Sequence, residues 1–202
     1  SLVAMKQDNL KARLAYSTVS QLSYITIGAL LANSAGALGG AMHIGMHAFG
    51  KITLFFCAGA IMVASHKTEI SDMHGLGRRM PVTMAAFFIG SLSIIGLPPG
   101  GGTWSKWYLM IATIEADKLI LMVVLMASSL LNIAYLLPIP IKGFLYPDPD
   151  AQGADKKIRE APLPSLIALS LTALGCIVLF VYPQPLYELA THFLEAAGLH
   201  GR

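Results

Sequence analysis

His43-Ile-Gly-Met-His47-Ala-Phe-Gly-Lys51 stands inside an otherwise apolar stretch that continues to Ala64. His43, His47 and Lys51 recur every fourth residue. On a helix of about 3.6 residues per turn they drift by only about 40° per step and share one face. Ionisable side chains at membrane depth are costly and rare, and they line ion or proton pathways. A second lysine of this kind, Lys106, follows the helix-breaking run Leu97-Pro98-Pro99-Gly100-Gly101-Gly102. Together these residues make proton or cation translocation the first expectation.

Working outward, the composition agrees. The 202 residues are 55% hydrophobic and 12% charged, against about 25% charged in ordinary soluble domains. Mean hydropathy is +0.64. The formal charge of +3 is small, and no Lys/Arg-rich block or aromatic-basic interleaving points to nucleic acid. Cys57 and Cys176 lie far apart in apolar runs and read as small hydrophobes, neither a disulfide nor a metal site. Neither a flavin, nicotinamide nor iron–sulfur motif is present, so no cofactor is expected. The chain begins at Ser1, and its first residues mix Lys6, Asp8, Lys11 and Arg13 without a signal peptide. This start is expected of a C-terminal fragment of a longer protein.

The expected architecture is all-α: a polytopic transmembrane bundle of about five spans, one of them broken, with an amphipathic C-terminal helix. The first span covers 10–32, where Ser17, Gln21, Tyr24 and Gly28 form a polar stripe that should face other helices or a wet cavity. Residues 33–40 read as a small uncharged loop. The second span, 41–65, carries the His/His/Lys line. A charged linker, 66–80, should leave His66 and His74 solvated, and Pro81 suits the first turn of the next helix.

The third span, 81–115, is too long for one straight crossing. Gly96, Pro98, Pro99 and Gly100 break it, because proline removes a donor and clashes while glycine adds freedom. Such irregular backbone survives in a bilayer only where protein or water satisfies it, and it recurs in ion-coupled transporters. Trp104 and Trp107 flank Lys106 as interfacial anchors. The fourth span, 118–141, holds Ser128, Ser129 and Asn132, read as packing contacts, and is ended or kinked by Pro138 and Pro140. Residues 142–162 read as an exposed loop. The fifth span covers 163–182. Beyond it Leu186, Leu189, Ala190, Phe193, Leu194 and Ala197 recur at helical spacing, which predicts a short amphipathic helix at the interface or on a partner.

If all five segments span, one side receives Lys6, Lys11, Arg13, Lys67, Arg78, Arg79, Lys142, Lys156, Lys157 and Arg159, and the other only Lys118 and Arg202. The richer side is expected to be cytoplasmic. Lys106 then lies on the outer half of the broken helix.

The run from Leu10 to Tyr24, which contains Lys11 and Arg13 and reads LKARLAYSTVSQLSY, resembles the LKRLLAYS(S/T)xSQxGY signature of the antiporter-like membrane subunits. These are shared by respiratory complex I, membrane-bound hydrogenases and Mrp-type multisubunit cation/proton antiporters. The stretch from His43 to Ala60 resembles their HxxxHAxxKxxLFxxxG helix, and Gly96-Leu97-Pro98-Pro99 through Lys106 resembles their GxPPxxGFxxK break. Tyr182-Pro183-Gln184-Pro185-Leu186 is similar to a run near the family's C-terminus. Two positions depart: Thr103-Trp104 follows Gly102 where the family has Gly-Phe, and Ala12 displaces Arg13 by one residue.

The resemblance implies that 1–145 is the second half of an inverted repeat, with 146–202 supplying a cytoplasmic loop, a last span and the amphipathic tail. It also implies a proton relay of Lys51, His47, His43 and Lys106, with Lys11 and Arg13 as a cytoplasmic motif. Lysine in a low-dielectric helix can exchange its proton, and histidine titrates near physiological pH. The family's glutamate–lysine pair belongs to helices outside this chain, which alone is expected to form half of a channel.

The expected partners are other membrane subunits, the lipid bilayer, protons and Na+ or K+, in a bacterial inner membrane. Residues 128–139 resemble the D-type antiporter subunit, which favours a sodium/proton antiporter; a redox-driven pump of the complex I type is the alternative. Each site residue also has a plainer reading. Lys51 and Lys106 could be snorkelling anchors, and His43 a helix-packing contact. A His-x-x-x-His zinc site lacks the glutamate that a zincin needs, since Ile44 follows His43.

Overall fold

The computed structural model describes residues 1–147 and 158–198. Ten α-helices and one 3-10 turn are formed among them, and no strand beyond an isolated bridge between Asn9 and Glu69. In chain order they are α1 (Leu2–Lys6), α2 (Leu10–Leu30), α3 (Ser34–Ser65), α4 (Leu76–Arg79), α5 (Pro81–Ile95), α6 (Gly102–Glu115), α7 (Leu119–Leu136), α8 (Pro138–Leu145), α9 (Leu163–Val181) and α10 (Gln184–Ala196). The chain is an all-α polytopic bundle built around α3, which packs against α2, α5, α6, α9 and α10.

The solvent logic of a soluble protein is inverted. Ser17, Gln21, His43, Lys51, Thr53, Ser105, Lys106 and Asn132 are buried, while Leu30, Ile120, Val123, Leu130, Leu171 and Val181 are exposed. That is the distribution expected when hydrocarbon surrounds the molecule and polar groups find partners only inside it. Among the described residues, three helices are long and apolar enough to cross a membrane: Ser34–Ser65, Leu119–Leu145 (α7 continued by α8) and Leu163–Val181. Helix α2 has 21 residues, but its polar stripe dilutes its hydropathy. The broken span is shared between α5 and α6, of 15 and 14 residues.

Residues 33–40 are not a loop. Asn33 caps α3 by accepting from the Gly36 amide, and its side-chain amide donates to the Ala112 carbonyl. The glycines here serve close packing instead of breaking the helix: a Cβ on Gly36 would stand 2.6 Å from the Gly28 carbonyl oxygen, so α2 and α3 approach backbone to backbone.

The linker 66–80 is likewise more ordered than its charge implies. Ile70, Met73, Leu76 and Met80 are buried, Leu10 N donates to Thr68 O and Ile70 N to Asp8 O. His66 is exposed as expected, but His74 is half-buried and stacks on Tyr146 with ring centroids 5.2 Å apart.

Pro138 and Pro140 interrupt the fourth span without ending it: α7 closes at Leu136, just before the first proline. Pro138 occupies the first turn of α8, which continues to Leu145. The expected exposed loop at 142–162 is therefore shorter at its start, and its end is anchored. Arg159 N donates to Arg79 O, Ala161 is buried, and Glu160 caps α5 by accepting from Val82 N and the Thr83 hydroxyl at 2.7 and 2.6 Å. Lys156, Lys157 and the Pro-Asp repeats at 148–150 lie outside the described residues, as does Arg202. The amphipathic tail forms α10: Ala190 and Leu194 are buried while Leu189 and Phe193 stay exposed.

Candidate functional site: a buried line of amines, imidazoles and hydroxyls

Helix α3 places His43, His47 and Lys51 on its buried face, at 2%, 9% and 6% exposure. The His43 and His47 rings stack with centroids 5.7 Å apart, and Tyr24 also stacks on His43, at 5.5 Å. The polar stripe of α2 meets this face. Lys51 Nζ donates to the Leu14 carbonyl at 3.1 Å and to Ser17 Oγ at 2.7 Å. One turn on, Gln21 Oε1 lies 3.2 Å from His43 Nε2. His43 Nδ1 lies 2.9 Å from Ser105 Oγ, so both ring nitrogens are engaged. His47 Nδ1 and Gln21 Nε2 are buried without a hydrogen-bond partner among the described residues.

The break between α5 and α6 is built to receive Lys106. Gly96 caps α5 at φ +87°, the left-handed region that glycine enters without a steric penalty. The chain then doubles back so closely that a Cβ on Gly102 would meet the Ser93 carbonyl oxygen. Ending α5 there leaves its last carbonyls without helical donors. Lys106 Nζ takes two of them, Ile94 O at 3.0 Å and Ile95 O at 2.9 Å, and adds Ser129 Oγ at 3.2 Å. The amine also sits 4.6 Å from the centroid of the Tyr24 ring. Trp104 and Trp107 are both partly exposed, and Trp104 Nε1 donates to Phe180 O.

Neither lysine meets a carboxylate among the described residues; carbonyls, hydroxyls and a ring face surround them. An amine held by dipoles alone is not locked in either charge state by an ion pair. The structure therefore brings Lys51, His47, His43 and Lys106 into one buried line, with Tyr24 touching both its histidine and its Lys106 end. Gly96, Pro98, Pro99 and Gly100 form the break that positions Lys106.

Lys11 and Arg13 are elsewhere. Lys11 is exposed, its Nζ 3.2 Å from Met62 Sδ. The Arg13 guanidinium donates to the Gln7 carbonyl from Nε at 2.8 Å and to the Tyr135 carbonyl from Nη1 at 3.1 Å. It clamps the start of α2 to the end of α7.

Three side chains escaped the reading of the sequence as site residues: Ser105, Tyr135 and Ser129. Ser129 and Asn132 were expected to serve packing, yet Ser129 touches Lys106, and Asn132 and Ser17 both bond the Tyr135 hydroxyl. For Ser129, Asn132 and Tyr135 the signal was present as the helical spacing of Ser128, Ser129, Asn132 and Tyr135 on α7; for Ser105 on α6 there was none.

The family described as NADH:quinone oxidoreductase/Mrp antiporter, TM, matches residues 1–132. Subunit N of NADH-quinone oxidoreductase from Desulforudis audaxviator is 35% identical over 193 residues, covering 91% of this chain and 38% of that protein. Subunit N of F(420)H(2) dehydrogenase from Methanosarcina mazei is 30% identical over 199 residues, covering 94% of this chain and 40% of its own. The chain thus spans about two fifths of the length of these curated relatives. Among solved structures, the membrane-bound sulfane sulfur reductase, an archaeal respiratory membrane complex, superposes with TM-score 0.79 at 30% identity over 90% of this chain and 30% of that one. The Mrp complex from Dietzia sp. superposes with TM-score 0.81 at 24% identity, over 94% of this chain and 43% of its counterpart, a likeness of fold.

Proposed function

The chain belongs to the NADH:quinone oxidoreductase/Mrp antiporter transmembrane family, and on that premise we propose that it carries protons through a line of Lys51, His47, His43 and Lys106. The observation that carries this reading is the pair of buried amines, each 6% exposed and each held by neutral oxygens. A proton on Lys51 passes to the stacked imidazoles and on to Lys106 at the broken helix, from which it leaves toward the outer side. A like charge brought to about 4 Å of a carrier in an effective dielectric of about 20 repels by about 4 kcal/mol, enough to loosen a proton from it. In this reading residues 1–145 are the second half of an inverted repeat, and the chain works in a bacterial inner membrane beside other membrane subunits.

Two kinds of assembly supply the energy in this family, and the redox-driven one is the first reading. The two curated relatives reported above, each covering more than nine tenths of this chain, are subunits of an NADH-quinone oxidoreductase and an F(420)H(2) dehydrogenase. The second reading is a multisubunit Na+/H+ antiporter, favoured by the resemblance of residues 128–139 to D-type subunits and consistent with the fold of the Mrp complex.

The test uses everted vesicles carrying the full-length gene with its operon partners, in a host lacking its own antiporters. A pH dye follows acidification driven by NADH, then the collapse of a lactate-driven gradient on adding Na+ or K+. Redox-driven acidification lost in Lys51→Ala and Lys106→Ala supports the first reading. Cation-induced collapse lost in the same variants supports the second and names the ion. If the two variants match wild type in both assays, the relay is refuted.

A further inference from the structure

Two rows of polar side chains lie between Lys51 and Lys106. One is the stacked histidine pair, and the other runs along α7 without a histidine. From Lys51 Nζ it passes to Ser17 Oγ at 2.7 Å, from there to the Tyr135 hydroxyl at 3.0 Å, and on to Asn132 Oδ1, which the same hydroxyl bonds. From the other end, Lys106 Nζ meets Ser129 Oγ at 3.2 Å. Ser129 Oγ lies 3.2 Å from the Tyr24 hydroxyl, which donates to the Leu125 carbonyl at 3.1 Å, and Asn132 stands three residues from Ser129 on α7.

Every member of this second chain except one is an amine or a hydroxyl. A hydroxyl takes a proton on its lone pair and releases its own, so a row of hydroxyls conducts. A carboxamide does not: its oxygen only accepts and its nitrogen keeps both hydrogens. Asn132 is that exception, fully buried, with Nδ2 unpartnered among the described residues. The bonding around it has a direction. Tyr135 has one phenolic hydrogen, and Asn132 Oδ1 can only accept it; Ser17 is then left to donate to Tyr135, and Lys51 to Ser17. The row therefore points from Lys51 to Asn132 and ends there.

Resting on the reading of Lys51 and Lys106 as proton carriers, we propose that Asn132 is the insulating gap between two hydrogen-bonded half-rows, one leading from each lysine, and that it confines the proton to His47 and His43. A carboxyl at this position removes the insulation. It takes a proton from Tyr135 on one oxygen and gives one up toward Tyr24 and Ser129 from the other, with no net change in its own charge. A hydroxyl conducts in the same way without introducing a charge between two amines.

The experiment measures proton translocation per assembled complex in vesicles, with subunit content read by immunoblot. His43→Gln/His47→Gln is expected to lose about a hundredfold, the scale of a lost acid–base partner. Adding Asn132→Asp, or Asn132→Ser as the uncharged companion, is expected to recover about tenfold of that loss. Adding Tyr135→Phe, which removes only the hydroxyl oxygen, should abolish the recovery. No recovery in either Asn132 variant at normal assembly overturns the proposal, as does a recovery that survives Tyr135→Phe. Translocation retained by the double-histidine variant also overturns it, because the proton then needs no histidine while Asn132 is intact. Failure of the underlying reading is separate: it shows as wild-type translocation in Lys51→Ala and Lys106→Ala.

Discussion

Glu160 shows how much one residue outside the bundle contributes. Its carboxylate accepts from the Val82 and Thr83 amides, two donors in the first turn of α5 that no helical carbonyl reaches, and from the Thr83 hydroxyl. Pro81 supplies no N–H of its own, so this one side chain closes the N-terminus. Glu160→Ala is expected to cost about 1–2 kcal/mol, seen as a lower thermal-unfolding midpoint of the detergent-solubilised complex with translocation per complex unchanged. The sequence marked Pro81 as a helix start but could not show its cap, which arrives from 78 residues further along the chain. Lys106 shows the same limit. Its place just past the break was legible, but that its amine takes the Ile94 and Ile95 carbonyls was not.

At the scale of the element, the broken helix is the decisive device. Two half-helices end and begin inside the bundle, and the amine of the second satisfies the carbonyls of the first. Gly96 makes this possible twice over, through φ +87° and because a Cβ there would stand 2.7 Å from Lys106 Cδ. Gly96→Ala is therefore expected to strain the cap by about 1–2 kcal/mol and to displace Lys106 from its carbonyls. The measurements are the thermal midpoint, which should fall, and translocation, which should fall with it. Gly102→Ala is the companion, with the same outcome expected from backbone collision against Ser93. Gly36 and Gly28 teach the opposite lesson, since the same residue type that breaks a helix at 96–102 lets two helices touch at 28–36. Glycine alone does not distinguish these uses; the two prolines at 98 and 99 do.

For the whole molecule, the alternation of helices carries the N-terminus of α2, the linker 66–80, the end of α8 and the start of α9 to one end. Contacts there include Leu10 N to Thr68 O, Gly75 N to Lys142 O and Arg159 N to Arg79 O. Lys118 lies at the other end, beyond α6. With the basic residues so divided, the first end is expected to be cytoplasmic. An impermeant maleimide should then label Arg78→Cys in everted vesicles and Lys118→Cys in right-side-out ones. Both positions are exposed, and the native Cys57 and Cys176 are buried, which keeps the background low. Labelling with the reverse sidedness would invert the direction of the relay.

What the sequence determined by itself follows from periodicity and composition. An apolar chain with few charges must satisfy its backbone internally, so it is helical; four-residue spacing sets His43, His47 and Lys51 on one face; and Pro-Pro-Gly within a hydrophobic run must interrupt it. Tertiary structure decided what that face meets. A 3.6-residue period states which side chains of one helix stand together but says nothing about the helix opposite, because crossing angle and register depend on packing across the whole bundle. For that reason Ser17, Gln21 and Tyr24 were legible as a polar stripe but not as partners of Lys51, His43 and Lys106. The roles of Ser105, Ser129 and Tyr135, and the amide of Asn132 standing between two lysines, became visible only once α6 and α7 were packed against α2 and α3.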